Sequence, residues 1–246
     1  MSPEHRGPGP GPAAPSSETA GPARTPADPQ AHLRENARQF GDTARAYAVS
    51  RTHAEGGTRH LLIERMQPVV DETLLDVACG AGGMTLAMAP YVCEAIGLDP
   101  APEMLAALRL GARREGVANL TAMIGDAHRL PFRDRSVQLV TVRMAPHHFH
   151  DPAAAVREMA RVLAKGGRLG IADGTVPEDS ELDAFINRLD VLHDPTTVRN
   201  YSAREWRAFY EGAGLRVDSV EEETFDLAEG RLDIGDNTYI AWYSLL

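Results

Sequence analysis

The sequence predicts an α/β fold in which a mostly parallel, doubly wound sheet carries helices on both faces. Three observations lead there. Thr73-Leu-Leu-Asp-Val-Ala-Cys-Gly-Ala-Gly-Gly-Met84 is an apolar run that ends in a glycine-rich turn. A second apolar run ends in a lone carboxylate at Ile96-Gly-Leu-Asp99. Strand-like and helix-like segments then alternate, and parallel neighbours need such crossovers between them.

Each element has a local reason. Residues 1–30 include Pro8-Gly-Pro-Gly-Pro-Ala-Ala-Pro15 and have almost nothing to bury, so a disordered tail is expected. A single domain spans 31–246, with leading helices over 31–70, a core over 71–175 and further helices and strands over 176–246. Phe40, Ala44, Tyr47 and Ala48 fall at helical spacing, and a second helix covers Thr58 to Met66. Strands are expected at 73–78, 93–99, 119–125, 137–143 and 168–173. Asp151-Pro152 reads as an N-cap with proline at the first helical position, ahead of Val156, Met159, Ala160 and Leu163. Lys165-Gly166-Gly167 should stop that helix. Leu182, Phe185, Ile186 and Leu189 mark the apolar face of another. Ser202-Ala-Arg-Glu205 is a capping box before Trp206, Phe209, Tyr210 and Ala213. Two last strands are expected around Val217–Glu222 and Thr238–Tyr243.

The glycine turn and the strand-end carboxylates carry the chemistry. Gly80, Gly82 and Gly83 let the backbone leave the strand sharply and approach a ligand. Asp99, about 20 residues beyond the first glycine, is placed to accept from both hydroxyls of a ribose. A dinucleotide site of the form G-x-G-x-x-G would put its third glycine at Thr85, where the pattern fails. Asp76 precedes the turn, and Gly125-Asp126-Ala127 closes a third strand. Carboxylates at three successive strand ends suit a cationic ligand with an adenine better than a pyrophosphate. S-adenosyl-L-methionine is such a ligand.

Here the sequence resembles the class I, seven-stranded S-adenosylmethionine-dependent methyltransferases, in the branch of the ubiquinone and menaquinone C-methyltransferases and other small-molecule methyltransferases. The likeness rests on Leu75-Asp-Val-Ala-Cys-Gly-Ala-Gly-Gly83, Gly97-Leu-Asp-Pro100, Met104-Leu105, Gly125-Asp-Ala127, Leu130-Pro-Phe132, Arg143-Met-Ala-Pro-His-His-Phe149 and Leu163-Ala-Lys-Gly-Gly167. It implies a Rossmann-like sheet of seven strands with the last antiparallel. It also implies that Asp99 holds the ribose, Asp126 and Ala127 the adenine, and the Gly80-Ala81-Gly82 turn the methionine portion. Asp76 and Met104 complete the cofactor site, and Arg143 lies near its sulfonium side. The leading helices would cover the cofactor, bringing Tyr47, His53 and His60 near the pocket or leaving them as surface residues. His193-Asp-Pro-Thr-Thr-Val-Arg199 is similar to a loop of the quinone branch and would be part of a lid or a plain connector. The sequence departs from the family at Ala78, where glycine is usual, and at Gln138, where aspartate is usual.

Methyl transfer from a sulfonium is an in-line displacement, so alignment in a dry pocket does most of the work. An acceptor that must lose a proton would be helped by a base. His147 and His148, just past the fourth strand, are the candidates, with His148 preferred; the same pair also fits a structural turn. The formal charge of −10 argues against nucleic acid as substrate. The place where superfamily members that methylate exocyclic amines of nucleobases usually carry an Asn- or Asp-Pro-Pro-aromatic turn reads Met144-Ala-Pro-His147. A small-molecule acceptor methylated at oxygen or carbon is therefore expected, a quinol, phenol or polyketide-like metabolite, with nitrogen and sulfur acceptors still open. No apolar run approaches the ~20 residues of a membrane span. No signal peptide is evident, and a cytoplasmic monomer or homodimer with no metal follows as the expectation. Cys79 and Cys93 are expected as small core residues. Two rivals stay open, a non-catalytic S-adenosylmethionine-binding protein and a dinucleotide-dependent oxidoreductase.

Overall fold

The computed structural model describes residues 26–49, 57–225 and 236–245. Most of the tail expected over 1–30 lies outside these residues, as do His53 and the side chain of Tyr47. The chain starts with α1 (Pro29–Val49), two residues earlier than the periodicity suggested. The reason is local: Asp28 Oδ1 accepts from Gln30 N at 2.9 Å and Ala31 N at 3.1 Å, capping a helix whose first residue is Pro29. Then follow α2 (Gly57–Met66), β1 (Thr73–Val77), α3 (Gly83–Met88), β2 (Glu94–Asp99), α4 (Pro102–Glu115), β3 (Leu120–Ile124) and β4 (Val137–Arg143). After these come α5 (Pro152–Val162), β5 (Leu163–Gly174), α6 (Ser180–His193), α7 (Ala203–Gly212), β6 (Leu215–Phe225) and β7 (Asp236–Leu245).

The seven strands form one sheet in the order β3-β2-β1-β4-β5-β7-β6. β1 to β5 pair in parallel, and β7 enters antiparallel between β5 and β6. This is the doubly wound, Rossmann-like sheet that the sequence predicts. Adjacent residues of each central strand point to opposite faces and feed two cores. Leu75, Val77, Leu98 and Val140 pack with Met159 of α5 and Trp206 and Tyr210 of α7. Their neighbours Leu74, Ala95 and Leu139 pack on the other face with Leu62 and Met66 of α2. A small third cluster of Ala44, Ala101 and Met104, with Phe40 beside it, seats α1 on α4. Gln138 keeps a structural bond despite its lost charge, its Oε1 accepting from Thr73 N at 3.0 Å.

Three expectations are corrected. β5 begins at Leu163, because α5 passes straight into extended chain; pairing jumps from Val137↔Leu163 to Leu139↔Arg168, and Gly166 (φ 76°) lies in the intervening irregularity. Cys93 is exposed, its Sγ facing the Glu72 carbonyl at 3.1 Å, so it is no core residue. The apolar face expected of α6 is not buried: Leu182 is 52% and Phe185 43% exposed. Polar groups hold α6 instead. Asp183 receives Arg199 Nη2 at 2.6 Å, Asn187 Oδ1 receives Asn200 N at 2.7 Å, and Asp190 pairs with the Asn200 amide.

Candidate functional site

β1 lies between β2 and β4, so the winding reverses there and a crevice opens beyond the carboxyl ends of the strands. The turn leaving β1 has left-handed backbone at Ala78 (φ 52°), Gly80 (φ 54°) and Gly82 (φ 90°). A Cβ on Gly82 would fall 2.1 Å from a Leu108 methyl, so that glycine lets α4 close against the turn. A Cβ on Gly80 would meet only the Met104 sulfur, at 3.9 Å, so the space before Gly80 is open. Ala81 packs beside Met104. Cys79 N donates to Leu98 O at 3.0 Å, and Gly80 N donates to Asp99 Oδ2 at 2.8 Å, tying the turn to the end of β2.

Asp99 is 6% exposed, and its Oδ1 also accepts from Ala101 N at 2.9 Å. Burial pushes its carboxyl up to about 6, against the pull of these two N–H groups. Asp76 does not share this open edge. It is 1% exposed beneath the turn, with Oδ2 accepting from Thr85 Oγ1 at 2.6 Å and Oδ1 from Thr141 Oγ1 at 2.9 Å. Burial raises it to about 6 as well. The expected row of three outward carboxylates is thus two, with the third bracing β1 to α3 and β4.

Asp126 follows β3, half-buried, with Oδ1 accepting from His128 N at 2.9 Å and 2.7 Å from His128 Nδ1. Burial raises its carboxyl, but the His128 bonds outweigh that and hold it below the ordinary carboxylate range. Ala127 beside it is buried. His128 in turn stacks on His150, ring centres 3.6 Å apart. Arg143 ends β4, its Nη1 3.2 Å from Thr58 Oγ1; burial lowers its pKa, with the Asp76 charge opposing.

The two histidines of this turn differ in their partners. His147 Nδ1 lies 2.6 Å from Asp173 Oδ1, and His147 N donates to Asp173 Oδ2 at 2.7 Å. Burial lowers the imidazole pKa, but the buried Asp173 more than offsets this and raises it above its ordinary value. His148 has no such partner: it is buried, its Nδ1 is 3.4 Å from Thr196 Oγ1 and its Nε2 is 3.9 Å from Asp194 Oδ2. Burial and the adjacent His147 push it down to about 3. The sequence favours His148 of the two, whereas the carboxylate within hydrogen-bond distance of an imidazole, Asp173, faces His147. Asp173 was not singled out in the sequence, although Ile171-Ala-Asp173 ends a strand in a carboxylate as Ile96-Gly-Leu-Asp99 does.

The cover helix closes on this turn. His32 Nε2 lies 2.9 Å from His148 O, Gln39 Nε2 donates to Asp194 Oδ1 at 2.7 Å, and the Phe40 ring meets His148 edge-on at 4.9 Å. The 193–199 loop joins in, with Val198 N donating to His147 O at 2.8 Å. The loop is thus hydrogen-bonded to the turn that carries His147. His60 is exposed on α2.

A glycine turn at the reversal of a parallel sheet, with carboxylates at the next two strand ends, defines a nucleoside-cofactor enzyme of the α/β type. Comparison with known proteins gives the family. Residues 75–171 match the family described as a methyltransferase domain. The uncharacterized methyltransferase YcgJ of Bacillus subtilis is 38% identical over 187 residues, 76% of this chain and 74% of that one. Its crystal structure superposes with a TM-score of 0.70 at 29% identity, covering 77% of this chain and 98% of that one. The demethylmenaquinone methyltransferase of Corynebacterium kroppenstedtii is 31% identical over 148 residues, 58% of this chain and 62% of that one. The geranyl diphosphate C-methyltransferase of Streptomyces coelicolor shares the fold, with a TM-score of 0.69 at 15% identity over 90% of this chain and all of that one. The chain belongs to the class I S-adenosylmethionine-dependent methyltransferases, which sets the oxidoreductase aside. Among the described residues no helix is long and apolar enough to cross a membrane.

Proposed function

We propose that this chain transfers the methyl group of S-adenosylmethionine to an oxygen or carbon of a small acceptor, a quinol, phenol or polyketide-like metabolite that loses a proton as it is methylated. The observation that carries this reading is the His147–Asp173 pair at the carboxyl edge of the sheet.

The residues present fit the cofactor. The space before Gly80 is open, and Asp99 uses two of the roughly four acceptor positions of a carboxylate on Gly80 N and Ala101 N. Asp99 would hold the ribose hydroxyls, Asp126 and Ala127 the adenine, and the Gly80-Ala81-Gly82 turn, backed by Met104, the methionine portion. Asp76 acts from below by fixing the turn, and Arg143 lines the sulfonium side. When bound, the cofactor supplies an activated methyl carbon whose displacement leaves a neutral thioether.

His147 takes the acceptor's proton at Nε2, the ring nitrogen turned away from Asp173. Asp173 holds Nδ1–H, fixes that tautomer and stabilises the imidazolium. His148 stays neutral and fixes the turn. α1 and the 193–199 loop exclude water from the wall they share. The name of the Corynebacterium relative supports a quinol among the acceptors to try first.

The test is product formation with a panel of quinols and phenols, followed by mass spectrometry. His147→Gln should lower kcat by about 10²–10⁴-fold while leaving S-adenosylhomocysteine affinity unchanged. Wild-type activity should rise with pH as His147 loses its proton, through a value above the ordinary ~6.5. An unchanged kcat in His147→Gln would refute the base. Cofactor binding with no methylated product across the panel would favour the non-catalytic binder.

A further inference from the structure

The turn that follows β3 holds a largely buried histidine that has no part in the proposed reaction. Asp126 to Arg129 is tightly folded, with Arg129 N donating to Asp126 O at 3.0 Å. Within it, Asp126 Oδ1 takes two contacts from one residue, His128 N at 2.9 Å and His128 Nδ1 at 2.7 Å. Among the described residues none donates to Asp126 Oδ2. The Asp126 side chain keeps 20% of its surface exposed, so a ligand can still reach this carboxylate.

The opposite edge of the imidazole fixes its tautomer. Asp151 N donates to His128 Nε2 at 3.4 Å. A backbone N–H can only donate, so Nε2 is the acceptor nitrogen and the ring hydrogen sits on Nδ1, where it is given to Asp126. Asp151 is itself held, as the N-cap of α5, by the bond from Ala154 N to its Oδ1 at 2.8 Å. The two residues before it grip the ring: His150 stacks on it at 3.6 Å, and Phe149 meets it edge-on at 5.5 Å. Packing alone would use the faces of the ring, whereas here each nitrogen also has a partner of the matching kind. Three consecutive residues between β4 and α5 thus clamp the imidazole, and the imidazole pins one oxygen of Asp126. A carboxylate pinned through Oδ1 presents Oδ2 in a fixed direction.

We propose that His128 is a positioning residue that aims Asp126 Oδ2 at the amino group of adenine and so sets the preference of the site for adenine over a 6-oxopurine, an inference that rests on the cofactor reading above. An amino group donates to a carboxylate, whereas the oxygen of hypoxanthine at the same place is a second acceptor facing it. Isothermal titration compares S-adenosylhomocysteine with S-inosylhomocysteine, which differs from it only in that base. Wild type, His128→Ala and His128→Asn are titrated as full chains, with folding checked by circular dichroism. Asparagine keeps an amide N–H where Nδ1–H stood. Wild type should favour S-adenosylhomocysteine at least about tenfold. His128→Ala should weaken S-adenosylhomocysteine about tenfold and leave S-inosylhomocysteine unchanged, and His128→Asn should restore part of the preference. The wild-type preference persisting in His128→Ala overturns the proposal, whether both affinities hold or fall together. An Asn variant no better than the Ala variant overturns it too, because the loss then belongs to the packing of the ring. If wild type binds neither ligand, or both alike, the adenine reading of Asp126 fails and the proposal with it.

Discussion

Ala78 shows how a single residue records the demands of the site. Its φ of 52° is left-handed, a conformation in which a Cβ crowds the carbonyl oxygen and which costs of the order of 1–2 kcal/mol. That is the physical reason for the glycine usual in the family. Replacing Ala78 by glycine removes the crowding and returns some chain entropy to the unfolded state, so Ala78→Gly should stabilise the protein by about 1 kcal/mol. Urea denaturation checks it; equal or lower stability would mean that the turn carries no such strain. Asp76 and Asp99 teach a related lesson. Both carboxyls are raised to about 6 by burial, above an unfolded value of ~3.9. These two groups thus favour the folded chain most below about pH 4, and that contribution is lost as pH rises through about 6. Ribose binding runs the other way, because the hydroxyls need an ionised Asp99 to accept from them. Asp99 was legible in the sequence as a lone strand-end carboxylate. Asp76 was legible as an acid but not in its orientation, which depends on Thr85 and Thr141 reaching it from α3 and from β4.

At the scale of elements, what could be read depended on how local the cause was. The Asp151-Pro152 cap and the Ser202/Glu205 capping box are local chemistry, and both are present: Asp151 Oδ1 accepts from Ala154 N at 2.8 Å, and Ser202 and Glu205 bond reciprocally. The start of α1 was missed although Asp28-Pro29 carries the same signal. The periodicity of α6 was read correctly as amphipathic, yet periodicity does not say what covers a helix face. Here the polar face is the anchored one, through Arg199 and Asn200. Asn200→Ala removes the side chain that pairs with Asp190, and the amides of 180–193 should exchange at least about tenfold faster while those of α5 stay unchanged. Hydrogen exchange followed by mass spectrometry measures both. Unchanged exchange in α6 would mean that the Asn200 side chain does not anchor the helix.

Across the whole molecule, five parallel strands were legible because central strands buried on both faces read as apolar runs ending in turn chemistry. The order of β6 and β7 was not, since pairing distant in sequence leaves no local mark; the expectation of a last antiparallel strand came from family likeness. The sheet also sorts charge along its carboxyl edge. Carboxylates stand at the end of β2 and just beyond β3, and Arg143 ends β4, where its guanidinium reaches Thr58 of α2. His147, in the turn after β4, and Asp173, on β5, lie beside that edge. The His147–Asp173 pairing needs the β4–β5 register, which sequence alone could not supply.

The most direct test is isothermal titration of S-adenosylhomocysteine into wild type and Asp99→Ala, at pH 7.5 and again at pH 5.5, with folding checked by circular dichroism. Wild type should bind at pH 7.5 and more weakly at pH 5.5, as Asp99 takes up its proton. Asp99→Ala should lose roughly 1–3 kcal/mol for each charge-assisted hydrogen bond removed, with little further loss at the lower pH. Wild-type affinity in a folded Asp99→Ala, at either pH, would contradict the assignment of the ribose to Asp99 and with it the cofactor site built around the Gly80 turn.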